Sequence, residues 1–214
     1  MARAMIKILI ADDHAVVRRG LKQILAEEPD MTVFGEARTA REVIKNVREM
    51  NWDIVILDIT MPDRSGLDVL KELKDIRPQL PVLVLSMHPE DQYAVRVLKA
   101  GAAGYMTKES APEELVKAVR RVIGGRKWIS SSLAEKLASD LEIGSERPPH
   151  EILSDREYRV ACMIASGKTV NEIARELYLS VKTISTYRAR ILNKMKMRRN
   201  AELIRYAIKN RLID

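Results

Sequence analysis

The chain has 214 residues, 46% hydrophobic and 31% charged, enough for two modest cores, but with aromatics at 4% those cores must rest on Leu, Ile, Val, Ala and Met. A single Cys162 excludes an internal disulfide framework, and no apolar run approaches the roughly 18 to 20 residues that span a bilayer, so a soluble cytoplasmic chain without membrane partners is expected. The net charge of +7 is unevenly spread: Pro148 to Asp214 holds 14 Lys plus Arg against 7 Asp plus Glu, while Met1 to Arg147 is neutral.

In chain order, Ile6 to Ile10 is an apolar run of strand length that ends on Ala11-Asp12-Asp13. Val17, Leu21, Ile24 and Leu25 then recur at the spacing of a helix with one buried face. Thr32 to Ala37 reads as a short strand, and Thr39-Ala-Arg-Glu42 predicts a capping box at the next helix. Ile54 to Leu57 is a second buried strand, ending on Asp58 and followed at once by Met61-Pro62 and Ser65-Gly66. Helices over about 67–76 and 92–100 flank a strand Val82 to Leu85 that ends on Ser86, and Gly104 to Thr107 ends on Lys108. Ser110-Ala-Pro-Glu113 predicts a further capping box on a helix closed by Gly124-Gly125. Strand and helix alternation predicts an α/β domain with a parallel sheet covered on both faces.

In such sheets reactive groups gather beyond the carboxyl ends of the strands. Asp12, Asp13, Asp58, Ser86 and Lys108 all fall there, with Asp58 an exposed nucleophile candidate. Clustered carboxylates raise one another's pKa unless a hard cation sits among them, and Mg²⁺ takes carboxylates, waters and phosphate oxygens. The set suits phosphoryl transfer to a carboxylate: Asp58 attacks phosphorus, Ser86 donates a hydrogen bond to a phosphate oxygen and Lys108 supplies positive charge. His14 stands beside the acid pair, but hard Mg²⁺ prefers oxygen. Each residue taken singly is unremarkable as a turn, cap or solvated side chain; their common placement carries the inference.

Residues from about Lys7 to Gly124 resemble a two-component receiver domain, matching at Asp12-Asp13, Asp58, Ser86 and Lys108, which implies a flavodoxin-like (βα)5 fold with strand order 2-1-3-4-5. The resemblance implies Asp58 as phosphoacceptor, Asp13 as a direct Mg²⁺ ligand with Asp12 close by, and the Thr60 carbonyl as a further ligand. It also implies that Tyr105 is a switch aromatic that turns inward when Ser86 engages phosphate. Without the family, Tyr105 reads as a core or half-buried strand aromatic.

Residues 125–149 change character and read as a linker between a first domain, 1–124, and a second, 150–214. Trp128 to Ala138 could form a short helix there, Gly144 to Pro149 is a loop, and His150 is a solvated loop residue. Beyond it everything is helical. Ser154 to Glu157 and Thr169 to Glu172 predict capping boxes, Gly167 closes the first of these helices, and Ser180 caps a helix from Val181 to about Met195. Ile184, Tyr187 or Arg188, Ile191 and Met195 trace its buried stripe. Lys182, Thr183, Ser185, Thr186, Ala189 and Arg190 are then available to DNA, and Lys168, Thr169, Arg188 and Lys194 to phosphates. A solvated polar face would look similar, but the local positive charge favours nucleic acid.

This tail resembles the LuxR-type four-helix helix-turn-helix domain through Leu-Ser-Asp-Arg-Glu, Asn-Glu-Ile-Ala and Val-Lys-Thr-Ile-Ser-Thr-Tyr. Ala189 stands where some relatives carry a longer polar side chain. Together the halves resemble a NarL/FixJ-type response regulator. That implies a sensor histidine kinase as phosphodonor, Mg²⁺ as cofactor, double-stranded DNA as target and a phosphorylation-dependent homodimer, with no enzymatic output. An aspartyl-phosphate enzyme of the haloacid dehalogenase kind expects a second Asp two residues after the nucleophile, where this chain has Thr60. A DNA binder sensing without phosphate would not need the acid, hydroxyl and Lys set, and a pure protein-interaction module would not need the basic tail.

Overall fold

The computed structural model describes residues 5–61, 64–87, 90–131, 133–135, 148–210 and 212–213. It divides into two compact units, Met1–Leu137 and Ala138–Asp214.

In the first unit, β1 (Ile6–Ala11), β2 (Met31–Ala37), β3 (Ile54–Asp58), β4 (Val82–Ser86) and β5 (Gly104–Thr107) form a parallel sheet in the order β2-β1-β3-β4-β5. Every residue of β3 and β4 is buried, as expected for central strands covered on both faces. Successive side chains alternate between two layers. Ile8, Ile10, Ile54, Ile56, Leu83 and Leu85 pack with residues of α1 (Ala15–Ala26) and α5 (Ala111–Ile123). Leu9, Val55, Leu57 and Val84 face the other way, and α2 (Ala40–Glu49), α3 (Gly66–Ile76) and α4 (Glu90–Lys99) complete the unit. Each such Ile, Leu or Val stabilises by roughly 1.5–3 kcal/mol relative to exposure, so the strand ends project from the most tightly held part of the unit.

Two predicted caps differ in detail. Thr39 accepts from the Glu42 N–H, but the Glu42 carboxylate takes the Arg38 N–H at 2.6 Å instead of completing the box. Ser110 makes no cap bond, because its hydroxyl lies 3.2 Å from both the Thr107 carbonyl oxygen and the Thr107 hydroxyl; its own carbonyl accepts from the Glu113 and Glu114 N–H groups. The β1–β2 register also skips a residue, Ile8 facing Val33 and Leu9 facing Gly35. Gly35 fits there because a Cβ would come within 2.6 Å of the Trp52 ring.

The first part of the predicted linker stays with this unit. The Trp128 N–H donates to the Ala103 carbonyl at 3.0 Å and its carbonyl accepts from the Tyr105 N–H at 3.1 Å, extending the sheet by one bridge beside Gly104. Ser130 donates from its hydroxyl to Glu90, and its N–H reaches the same carboxylate at 3.2 Å. Residues 131 and 133–135 are helical; the remainder of the predicted linker helix, and the loop up to 147, lie outside the described residues.

The second unit opens with a 3₁₀ turn, Pro149–Ile152, followed by α6 (Asp155–Ala165), α7 (Val170–Glu176), α8 (Val181–Lys194) and α9 (Asn200–Lys209). The boxes at Ser154/Glu157 and Thr169/Glu172 are complete, and Ser180 accepts from the Thr183 N–H. Gly167 closes α6 at φ +85°. His150 is not a solvated loop residue: its Nδ1 lies 2.8 Å from the Tyr206 hydroxyl and its ring sits 6.0 Å from that of Tyr158.

Candidate phosphoryl site and nucleic-acid interface

Parallel strands of similar length bring Asp12, Asp58, Ser86 and Lys108 to one edge of the sheet. Lys108, 50 residues from Asp58 in sequence, lies with Nζ 2.7 Å from Asp58 Oδ2 and 2.6 Å from Asp12 Oδ2. Asp58 Oδ1 accepts from the Thr60 N–H at 2.8 Å. The carboxylate expected to be exposed is 1% accessible instead, since Lys108 closes over it with a side chain only 8% exposed. Burial pushes the Asp58 carboxyl up to about 6, helped by the negative Asp12, while Lys108 and the Thr60 N–H pull it down. Burial presses Lys108 downward, but the Asp58 and Asp12 carboxylates outweigh it and hold the ammonium above its ordinary range.

Donor atoms of Asp12, Asp13, His14 and Asp58 lie within 4.8 Å of one another. Asp12 Oδ2 and Asp13 Oδ1 are buried and have no geometrically aligned hydrogen-bond donor among the described residues; Lys108 Nζ lies 2.6 Å from the first and His14 Nδ1 2.9 Å from the second. Two buried carboxylate oxygens without an aligned donor, beside a third acid, fit a hard divalent cation, which would complete their coordination. His14 stands closer to this group than its chemistry predicted, with its backbone N–H donating to Asp12 Oδ1 at 2.8 Å and its ring Nδ1 3.2 Å from the same oxygen.

Ser86 is fully buried, and its carbonyl accepts from the Lys108 N–H at 2.8 Å. Tyr105 is 2% exposed, beside the segment that begins at Trp128. The Thr60 backbone is part of the same loop, which turns tightly enough that a Cβ on Gly66 would fall on the Asp58 carbonyl and within 2.5 Å of Ile59 Cα. Sequence reasoning missed Arg18. It is buried on α1, donates from NH1 to the Asp12 carbonyl at 2.8 Å and from Nε to Glu36 at 3.0 Å, and so fixes the acid loop from behind. Its place one turn from Leu21, on the apolar face, was the available signal.

In the second unit Ile184, Ile191, Leu192 and Met195 are buried. Lys182, Ser185, Thr186, Ala189 and Arg190 are all exposed on α8, while Thr183, Tyr187 and Arg188 are half-buried. Thr186 turns its hydroxyl to the Lys182 carbonyl at 2.9 Å. Several cations assigned to phosphates have partners within the unit. Arg188 Nε donates to Asn200 at 2.7 Å, Lys168 pairs with Glu176, and Lys194 Nζ lies 2.6 Å from the buried Glu157. Glu157 is pushed up by burial but held below the usual carboxylate range overall by Lys194 and the Ser154 N–H. Thr169 gives its hydroxyl to the capping-box carboxylate of Glu172 at 2.7 Å.

A parallel α/β unit with acids, hydroxyl and ammonium converging on one edge, followed by a helix-turn-helix with an exposed polar second helix, defines a phosphate-responsive DNA-binding regulator. Residues 8–120 match the response regulator receiver domain and residues 151–207 the bacterial regulatory proteins of the luxR family. The chain belongs to the response regulators with a LuxR-type DNA-binding domain. It is 37% identical over 211 residues to the response regulator GacA of Pseudomonas aeruginosa, covering 98% of this chain and 99% of that protein. Among solved structures it is similar to the RcsB response regulator of Salmonella typhimurium, with 28% identity, a TM-score of 0.70, and 97% and 98% of the two chains covered. An RcsB–DNA complex matches at 28% identity and a TM-score of 0.59, covering 95% and 98%. No helix among the described residues is long and apolar enough to cross a membrane.

Proposed function

We propose that this response regulator accepts a phosphoryl group on Asp58 from a sensor histidine kinase in the cytoplasm and, so modified, binds double-stranded DNA as a homodimer. The observation that carries the proposal is the ion pairing of Lys108 with both Asp12 and Asp58, which brings three separate strand ends to one point. Asp13 and Asp58, with Asp12 close by and the Thr60 carbonyl, would hold Mg²⁺, whose charge when bound offsets that of the phosphoryl oxygens. Asp58 is the nucleophile: its carboxylate oxygen bonds phosphorus as the bond from phosphorus to the donor nitrogen breaks. Lys108 already touches the attacking carboxylate, so a small shift of Nζ transfers its charge to the new phosphate, and Ser86 donates to a phosphate oxygen from the next strand. Tyr105 on β5, three residues before Lys108, is the switch aromatic that responds to Ser86. The phosphate adds nearly two negative charges, enough to bias a bistable surface.

In the tail, Lys182, Thr183, Ser185, Thr186, Ala189 and Arg190 face the bases, with Lys168, Thr169, Arg188 and Lys194 toward the backbone, and a dimer reads half-sites about one helical turn apart. The test is uptake of labelled phosphate from a small acyl phosphate with Mg²⁺. Asp58→Asn is expected to take up none while keeping its fold; uptake equal to wild type would refute the assignment.

A further inference from the structure

Among the described residues, two non-glycine residues have positive φ: Tyr178 at +53° and Lys196 at +55°. They bracket the recognition helix, Tyr178 in the turn before Ser180 caps α8 and Lys196 just past its last residues. For L-residues this conformation costs roughly 1–2 kcal/mol each, and glycine would occupy it without that penalty. Neither side chain relieves the cost. Tyr178 is 83% exposed, Lys196 is exposed, and among the described residues neither side chain makes a hydrogen bond or ion pair. Both conformations close a helix, with the Tyr178 and Leu179 N–H groups on the Arg175 and Ala174 carbonyls and the Lys196 and Met197 N–H groups on those of Asn193 and Leu192, a turn where glycine is usual. The turn accounts for the backbone but not for an exposed donor side chain in place of glycine, and that choice points to a ligand.

The length of the helix indicates which ligand. Its 14 residues span about 21 Å at 1.5 Å per residue, against a major groove roughly 12 Å wide. A helix of that length that enters the groove at an angle carries its two ends toward the phosphates on either side. The contrast with Lys194 is informative: two residues earlier, it is held by Glu157, whereas Lys196 has no ion pair among the described residues.

We propose that Tyr178 and Lys196 are a pair of DNA-backbone contacts, one at each end of α8, that set how deeply and at what angle the helix enters the groove. This rests on the DNA-binding assignment and adds to it two residues that neither caps nor base-facing positions identify. The two differ in kind: Lys196 neutralises a phosphate, and Tyr178 donates a neutral hydrogen bond.

The experiment is anisotropy of a labelled mixed-sequence duplex titrated with the full chain over a range of salt, comparing wild type, Lys196→Gly, Tyr178→Phe and Tyr178→Gly, with thermal unfolding of each. Lys196→Gly is expected to unfold at the same temperature as wild type or higher, because the strain is gone, yet to bind DNA more weakly. Its log–log salt slope should be shallower by about 0.9, so that a fourfold rise in salt weakens it about 3.5-fold less than wild type. Tyr178→Phe should lose a few-fold in affinity with an unchanged slope, and Tyr178→Gly should do the same with no loss of stability. Wild-type affinity and slope in Lys196→Gly, or wild-type affinity in both Tyr178 variants, would overturn the assignment for that residue while leaving DNA binding intact. A wild-type chain with no salt-dependent DNA binding would overturn both readings.

Discussion

Asp58 lies 1% exposed between a carboxylate and an ammonium, and burial raises its pKa from 3.8 to about 6. Well below pH 3.8 the group is protonated whether the chain is folded or not. Between about 4 and 6 the unfolded chain releases the proton while the folded unit keeps it, so stability falls as pH rises; above 6 the penalty is complete. Two pKa units at roughly 1.36 kcal/mol each make it about 3 kcal/mol. Asp58→Asn carries no such term, so its stability relative to wild type should grow by about 3 kcal/mol between pH 4 and pH 7. Urea unfolding followed by tryptophan fluorescence measures it cleanly, because Trp52 and Trp128 both belong to the first unit and the second has none. Added Mg²⁺ should shrink the difference at pH 7, since a cation at the carboxylate stabilises its charged form. A stability difference that stays flat from pH 4 to 7 in the absence of Mg²⁺ would refute the account.

Replacing Lys108 by Met leaves Asp12 and Asp58 facing each other without a counter-charge; about 3–5 kcal/mol should be lost in metal-free urea unfolding, with part of it restored by Mg²⁺. Gly66→Ala drives a methyl into the Asp58 carbonyl and Ile59 Cα, so unfolding should show a loss of at least about 1–3 kcal/mol and phosphate uptake should fall with the displaced loop. Glu157, buried and held below the usual carboxylate range by burial-opposing contacts with Lys194 and Ser154, contributes stability that is present above the carboxylate's ordinary pKa and lost as pH falls through its lowered one. Circular dichroism of the tail helices in acid should therefore show Glu157→Gln less acid-sensitive than wild type, with Lys194→Met raising the midpoint pH of the acid loss.

What the linear sequence determined is the position of each functional group along the chain. Buried strands are short apolar runs that end abruptly, and in a parallel sheet all such ends project from one edge, so Asp12, Asp58, Ser86 and Lys108 were legible from local pattern and topology. The helix-turn-helix was equally legible, since Ser154, Thr169 and Ser180 mark helix starts within three residues of where they act. Only the tertiary structure decided which charges meet. Lys108 reaches across 50 residues to bury Asp58, Arg18 holds the Asp12 carbonyl, and Lys194 is drawn to Glu157 from 37 residues away. Trp128 leaves the linker to bridge the edge of β5, and the β1–β2 register skips a residue where Gly35 meets Trp52. Long charged side chains have several partners within reach, and the choice among them depends on burial and on residues distant in sequence. Backbone periodicity is local, whereas desolvation and pairing of charge are properties of the assembled fold.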